Sequence, residues 1–293
     1  MKNYTIGFIG LGIMGRPMAL NLVKAGWHLL VFDINKDALN TLHRQGATVM
    51  NSPAELAAQC EMIISVLPDS PQVLEIAFGL NGLVHGIRPG CIFIDMSTID
   101  VDTIIRIQEK FEKMGVDTLD APVSGGEVGA EAGTLSVMVG GNRSAFERAL
   151  PLFQVLGTKI SHMGGSGSGQ ITKSCSQIAT ALTTQGVVEA FTLAKSAGVD
   201  LTKVREALLG GFAQSRALEL TGAKMISRDF TPGFKLSLYS KDLRIARSAA
   251  AARKLNLPGL ELVASEMGSL VRAGSGGLDF SALLQFFENN NNK

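Results

Sequence analysis

The feature that most constrains the fold is a glycine-rich turn near the start of the chain. Residues 10–15 read Gly-Leu-Gly-Ile-Met-Gly, which is a G-x-G-x-x-G spacing. The turn lies between an apolar run typical of a buried strand, Tyr4–Ile9, and a helical pattern, Met14–Ala25. Asp33 ends the second apolar run, 18 residues after Gly15. A strand, this turn, a helix and a following acidic residue are together typical of a dinucleotide-binding βαβ unit, whereas the glycines alone fit a turn without a ligand.

This turn has a defined role for each glycine. Gly10 permits the tight turn, Gly12 lets the backbone approach the pyrophosphate, and Gly15 lets the helix pack closely on the strand. The first N–H groups of the helix stabilise the phosphates. The carboxylate of Asp33 accepts hydrogen bonds from the ribose hydroxyls and repels a 2′-phosphate, so we expect NAD in preference to NADP, with nearby Lys36 keeping NADP open. The predicted cofactor-binding residues of the turn are Gly10, Leu11, Gly12, Ile13, Met14 and Gly15.

The chain changes its pattern about halfway along. Residues 1–163 alternate apolar runs with helical patterns, which predicts βαβ units and a mainly parallel sheet. After Gly164 the strand-like runs disappear, and a long helical stretch, Gln170–Ala197, precedes five shorter ones. The predicted class is α/β: a Rossmann-type dinucleotide-binding domain (1–163) joined by a long interdomain helix to an all-helical domain (164–293). The strand-like runs are Tyr4–Ile9, His28–Phe32, Met62–Leu67, Cys91–Asp95, Val116–Leu119 and Leu135–Val139.

Composition excludes several partners. The 293 residues are 46% hydrophobic, and the net charge of +1 offers no basic field for nucleic acid or an anionic membrane. Three cysteines without a C-x-x-C motif and four scattered histidines predict unpaired thiols, no metal site and a reducing compartment. No window holds about 18 uninterrupted apolar residues, so we expect a cytoplasmic protein without a membrane span.

Several segments resemble the signature motifs of the β-hydroxyacid dehydrogenases, the family related to 3-hydroxyisobutyrate dehydrogenase. They are residues 7–22, Asp120–Gly126, Gly167–Lys173 and Lys241–Leu243. Within the family, residues 95–98, 124–127 and 133–141 are most similar to tartronate semialdehyde (2-hydroxy-3-oxopropionate) reductases. The resemblance implies an NAD-dependent oxidoreductase of small, carboxylate-bearing β-hydroxy or semialdehyde acids. Reduction of tartronate semialdehyde to glycerate is the leading expectation, with 3-hydroxyisobutyrate and other 3-hydroxyacids as alternatives.

The resemblance also implies residue roles. Lys173 matches the family's catalytic lysine, a general acid or base that gains from a pKa lowered by burial. Lys241 matches a lysine near cofactor and substrate, although by its sequence alone it fits a solvated helix face equally well. The segment expected to hold the substrate carboxylate is Ser124, Gly125 and Gly126. The expected further cofactor contacts, each after a strand end, are Leu67, Pro68, Ser97 and Thr98.

One departure from the family concerns the substrate. The family has asparagine three or four positions after the catalytic lysine, where this chain has Ser176 and Gln177. Gln177 shares a helix face with Lys173 and offers a longer amide, so we predict that it binds substrate in a shifted or smaller pocket.

Other classes of protein are less consistent with the sequence. A 6-phosphogluconate dehydrogenase has a longer helical domain and a histidine near the lysine, and imine reductases usually lack the lysine. A non-catalytic dinucleotide-binding sensor is the alternative of another class, and the retained Lys173 and Ser124 speak against it. The family resemblance further implies that residues 164–293 serve as a substrate and oligomerisation domain, and that the protein is a homodimer or homotetramer.

Overall fold

The computed structural model describes residues 4–291. Nine strands in that part of the chain form one sheet in the order β3-β2-β1-β4-β5-β6-β8-β7, with β9 paired to β8. The strands are β1 (Thr5–Ile9), β2 (His28–Phe32), β3 (Thr48–Val49), β4 (Met62–Ser65), β5 (Ile92–Asp95), β6 (Asp117–Asp120), β7 (Val123–Ser124), β8 (Leu135–Gly141) and β9 (Gly157–Gly164). All pairs from β3 to β6 are parallel, and only the two pairs that β8 makes with β6 and β7 are antiparallel. The predicted mainly parallel sheet is confirmed.

Helices connect the strands and continue beyond them. Those of the α/β region are α1 (Gly15–Lys24), α2 (Lys36–Arg44), α3 (Pro53–Ala57), α4 (Ser70–Phe78), α5 (Val101–Glu112), α6 (Gly126–Ala132) and α7 (Arg143–Leu156). Those that follow are α8 (Ser168–Ser196), α9 (Leu201–Leu209), α10 (Arg216–Ser227), α11 (Leu236–Ala252), α12 (Pro258–Arg272) and α13 (Leu283–Asn291). The predicted change from α/β to helical structure is therefore confirmed.

Buried apolar side chains cover both faces of the sheet. On one face, Ile6 and Phe8 of β1 pack with α1, α2, α6 and α7. On the other, Ile63 of β4 and Phe93 of β5 pack with α3, α4 and α5. Two covered faces explain why these strands appear in the sequence as nearly continuous apolar runs.

The helical region has a core of its own. Phe191 of α8, Tyr239 of α11 and Met267 of α12 are buried in one apolar cluster. By the density of its internal contacts the chain divides into two compact units, of which the first ends at Lys173 and the second begins at Ser174. The domain boundary at 163/164 stays a prediction. Among the described helices, none has both the length and the apolar content needed to span a bilayer.

The sequence did not predict three strands and three helices of the α/β region. β3 and β7 have two residues each, too few for a periodic pattern. β9 alternates exposed and half-buried residues, among them Lys159 and His162, so it carries no apolar run. The missed helices α3, α4 and α6 have five, nine and seven residues and are bounded by glycine or proline.

Candidate functional site

Polar and glycine residues gather at one edge of the sheet. Because parallel strands point the same way, the carboxyl ends of β1, β2, β4, β5 and β6 meet at this edge, which is where open α/β sheets bind ligands. The residues that follow or end these strands are Gly10, Asp33, Leu67, Ser97 and Asp120.

The glycine turn has the shape of a phosphate cradle. Gly10 has a φ of +94°, and a Cβ there would collide with the carbonyl of Val66. A Cβ on Gly15, the first residue of α1, would collide with the carbonyl of Gly10, so only glycine lets helix and strand approach this closely. A Cβ on Gly12 would meet nothing within 4 Å, which leaves open space beside the backbone. These residues fit a dinucleotide pyrophosphate at the start of α1.

The carboxylate of Asp33 is held in place by the backbone. Its Oδ2 accepts a hydrogen bond from the N–H of Leu11 at 2.5 Å, and its Oδ1 accepts one from Asn35 at 2.6 Å. Asn35 in turn caps α2 by accepting from the N–H groups of Asp37 and Ala38. The structure therefore joins two predicted cofactor residues, Leu11 and Asp33, by a direct hydrogen bond.

Two further predicted cofactor positions also lie in contact. The hydroxyl of Ser97 accepts from the N–H of Leu67 at 2.8 Å and donates to Asp95 Oδ1 at 2.7 Å. Pro68, which is exposed, follows Leu67, and Thr98, which is half-buried, follows Ser97. The loops after β4 and β5 are thus fixed to each other through one serine.

The predicted carboxylate-binding segment turns sharply at its glycines. Ser124 ends β7 opposite Ser136 of β8 and is half-buried. Gly125 and Gly126 are exposed and have φ values of +139° and +63°, in the region that favours glycine. The backbone of this turn is open to a small ligand.

Lys173 stands near the start of α8 and is only 7% exposed. The first turn of that helix is attached to β6 by the carboxylate of Asp120, which is fully buried. Asp120 Oδ1 accepts from the N–H of Gly167 at 2.7 Å, and Oδ2 accepts from the N–H of Gln170 at 2.8 Å. Burial raises the pKa of Asp120 to about 6, although these two N–H groups act to lower it.

The side chain of Gln170 makes the second attachment of this helix. It is fully buried, its Nε2 donates to the carbonyl of Ser97 at 2.8 Å, and its Oε1 accepts from the N–H of Ile99 at 3.2 Å. The first turn of α8 is therefore bonded to the loop after β5 as well as to the end of β6.

In the helical unit, Gln177 and Lys241 are linked by one acid. Gln177 Nε2 donates to Asp242 Oδ2 at 2.7 Å, and Lys241 Nζ lies 2.8 Å from Asp242 Oδ1 in an ion pair. Tyr239 donates its hydroxyl proton to the backbone carbonyl of Gln177 at 3.0 Å. Burial, and next the charge of Asp242, raise the pKa of Tyr239, so this phenol stays a donor. Lys241 is thus paired with a buried acid, and its side chain is only 14% exposed.

Three buried polar residues had no predicted role: Asp120 and Gln170 in the first unit, and Asp242 in the helical unit. All three lie within the motifs that carry the family resemblance: Asp120 in residues 120–126, Gln170 in residues 167–173 and Asp242 in residues 241–243. The available signal was their chemistry, because acids and amides in otherwise apolar segments are costly to bury without a partner. In residues 4–291, no group of three or more His, Cys, Asp or Glu side chains is arranged to hold a metal ion.

Comparison with known proteins gives matches along nearly the whole chain. The family described as the NAD binding domain of 6-phosphogluconate dehydrogenase matches residues 5–165. The family described as the NAD-binding domain of NADP-dependent 3-hydroxyisobutyrate dehydrogenase matches residues 167–287.

Individual relatives match over similar lengths. The 2-hydroxy-3-oxopropionate reductase of Escherichia coli is 45% identical over 283 residues, which are 97% of either chain. The NAD-dependent L-serine dehydrogenase of Pseudomonas aeruginosa is 37% identical over 97% of either chain. The structure of Mycobacterium tuberculosis 3-hydroxyisobutyrate dehydrogenase with L-serine superimposes with a TM-score of 0.89 at 34% identity, covering 97% of this chain and 99% of that one.

The buried carboxyl of Asp120 predicts a pH-dependent stability. Because its folded pKa of about 6 lies above the ordinary 3.8, the folded state binds the proton more tightly than the unfolded state. The stability of the protein relative to Asp120→Asn, which cannot titrate, should therefore fall by about 3 kcal/mol as the pH rises from about 4 to about 7.

Urea unfolding at a series of pH values measures this difference. The matched control is Asp117→Asn, which makes the same change on the same strand at a side chain that is 32% exposed. A pH-independent gap between the protein and Asp120→Asn would contradict the prediction.

Proposed function

The chain belongs to the β-hydroxyacid dehydrogenase family, and we propose that it reduces tartronate semialdehyde (2-hydroxy-3-oxopropionate) to glycerate with NADH, using Lys173 as the proton donor. The family makes it an oxidoreductase with a nicotinamide dinucleotide cofactor. The observation that carries the finer proposal is the burial of Lys173 on a helix whose first turn is bonded to the sheet edge that bears the glycine turn.

In the proposed reaction the bound cofactor supplies the hydride. The ammonium of Lys173 stabilises the negative charge that develops on the substrate oxygen and donates a proton to that oxygen. In the oxidising direction its neutral amine removes the hydroxyl proton. The low exposure of Lys173 supports both roles, because burial excludes competing water from the proton transfer.

The substrate carboxylate is assigned to the hydroxyl of Ser124 and the backbone N–H groups of Gly125 and Gly126. Two peptide N–H groups unshielded by side chains and one hydroxyl make a compact site for an anion. We assign Gln177 and Lys241 to the same substrate, and Lys241 to the cofactor as well. Their common partner Asp242 holds both side chains in fixed directions.

We propose NAD rather than NADP as the cofactor. The carboxylate of Asp33 is fixed by Leu11 and Asn35 and keeps free lone pairs for the two ribose hydroxyls. The negative charge there repels a 2′-phosphate. We also assign to the cofactor the turn residues 10–15 and the two pairs Leu67-Pro68 and Ser97-Thr98.

Other expectations stay predictions. They comprise a cytoplasmic location, a homodimer or homotetramer, and the domain roles of residues 1–163 and 164–293. The alternative substrate is 3-hydroxyisobutyrate or another 3-hydroxyacid. Two relatives that are each 37% identical to this chain are named as probable 3-hydroxyisobutyrate dehydrogenases or similar to them, which supports this alternative. A non-catalytic sensor would gain nothing from burying a lysine, so it is the weaker candidate.

Replacing the lysine tests the proposal directly. We expect Lys173→Ala to lower kcat for tartronate semialdehyde by about 10²- to 10⁴-fold, because the variant lacks the ammonium that we assign as the proton donor. The measurement is NADH oxidation against a panel of semialdehyde acids, with Lys159→Ala, an exposed lysine of β9, as the matched control. Equal loss in both variants, or full activity of Lys173→Ala, would contradict the assignment.

The cofactor preference depends on one carboxylate. We expect Asp33→Asn to lower the ratio of kcat/KM for NADH to that for NADPH by at least about tenfold, since the repelling charge is gone. Asp37→Asn, on the exposed first turn of α2, serves as the control and should leave the ratio unchanged. A wild-type protein that prefers NADPH would rule out the NAD proposal.

Shortening the amide at position 177 tests its role in substrate choice. Gln177→Asn withdraws the amide by one methylene from Asp242, so we expect a change of about tenfold or more in the relative kcat/KM of tartronate semialdehyde and 3-hydroxyisobutyrate. Gln185→Asn makes the same change at another buried glutamine of α8. If rate and preference are the same in Gln177→Asn as in the wild type, Gln177 has only a structural role.

A further inference from the structure

We propose that Asp120 and Gln170 are positioning residues for Lys173, which together fix the first turn of α8 to two loops of the sheet edge. The expected effect on kcat rests on the proposed function, whereas the attachment of the helix can be tested without a substrate.

The first attachment uses both oxygens of Asp120. One oxygen accepts from Gly167, just before α8, and the other accepts from Gln170, inside its first turn. Two bonds to one rigid carboxylate restrict both the sliding and the tilting of the helix end relative to β6. Hydrogen bonds to an ionised acceptor are shorter and stronger than neutral ones, which suits this role.

The second attachment spans the loop after β5. The carboxamide of Gln170 donates to Ser97 and accepts from Ile99, the two neighbours of Thr98. Gln170 and Lys173 are three residues apart in α8 and therefore lie on the same side of the helix. One side chain thus couples a loop assigned to the cofactor with the helical turn that carries the lysine.

Close packing removes the remaining freedom at this end of the helix. A Cβ on Gly169 would collide with the carbonyl of Met138 and meet the carbonyl of Asp120 at 2.5 Å. A Cβ on Gly140 would likewise collide with Asp120 Oδ1 and meet Gly169 N at 2.8 Å. Only glycine at both positions permits this distance between helix and sheet, so the first turn of α8 packs directly against the backbone of β6 and β8.

Helix capping alone does not require this arrangement. A serine, threonine or asparagine beside the helix satisfies the first N–H groups without burying an ionised group. Here the acceptor is a fully buried acid 47 and 50 residues distant in sequence from its two donors, supported by a buried carboxamide. A proton donor must be held precisely, because a displacement of about 1 Å from the reacting atom lowers the rate by about 10²-fold. Fixing the first turn of α8 in this way is a reason to bury Asp120 despite the cost of desolvating it.

The test compares Gln170→Leu and Asp120→Asn with Thr172→Val in the full-length, NADH-bound protein. Gln170→Leu removes both contacts with the loop after β5. Asp120→Asn keeps the shape of the side chain, but an amide can accept hydrogen bonds with only one of its two end atoms. If Gln170→Leu does not fold, Asp120→Asn is the variant that tests the proposal. Thr172→Val removes a hydrogen bond within the same turn, from Thr172 to the carbonyl of Ser168, and leaves both attachments intact.

Two readouts are needed. The first is kcat with KM for the semialdehyde acid and for NADH. The second is the rate at which an amine-reactive reagent labels Lys173, measured by peptide mass spectrometry relative to exposed Lys159, and it needs no substrate. Thermal unfolding of each variant separates loss of stability from loss of position.

We expect the two anchor variants, Gln170→Leu and Asp120→Asn, to lower kcat by about tenfold or more while KM for NADH changes by less than about threefold. The reagent should also label Lys173 faster in both variants than in the wild type. Thr172→Val should change neither kcat nor the labelling rate. Lower thermal stability with unchanged kcat and labelling would overturn the proposal. If the wild type reduces no acid, the proposed function fails. Faster labelling of Lys173 in the anchor variants would then still support the attachment, and unchanged labelling would overturn it.

Discussion

The common direction of the parallel strands is the constraint on which the site depends. Because β1, β2, β4, β5 and β6 all end at one edge, the loops that follow them are neighbours although they are distant in sequence. Helix α8 begins beside the end of β6, so its first turns join the same edge. This arrangement brings the glycine turn, the carboxylate of Asp33 and Lys173 to one side of one sheet without any of them lying in a regular strand.

The cost of that arrangement appears in the buried polar groups. Asp120, Gln170 and Asp242 are each less than 3% exposed, and each makes hydrogen bonds to groups many residues away. A buried acid or amide contributes little net stability, but it is strongly unfavourable in a buried arrangement that leaves it without hydrogen-bond partners. Asp120 and Gln170 therefore help to specify where the first turn of α8 lies in the first unit, and Asp242 helps to specify where α11 lies in the second.

Local patterns predicted what depends on neighbouring residues. The bounds of β2 at His28–Phe32 were predicted to the residue, because a continuous apolar run sets them. The glycine turn and Asp33 were recognisable because their spacing is short. The attachments of Gln170 were not, because its partners are 71 and 73 residues away and no periodicity relates them. The edge strand β9 was missed for a different reason, since half-exposed strands need few apolar residues.

The proposed reaction transfers a hydride from NADH to a small semialdehyde acid. The most direct measurement uses NADH that carries deuterium at its transferable position, with tartronate semialdehyde as substrate and mass spectrometry of the product. Hydride transfer from NADH should give glycerate with one deuterium on the carbon that carried the aldehyde. Glycerate without deuterium, or no glycerate while NADH is bound, would contradict it.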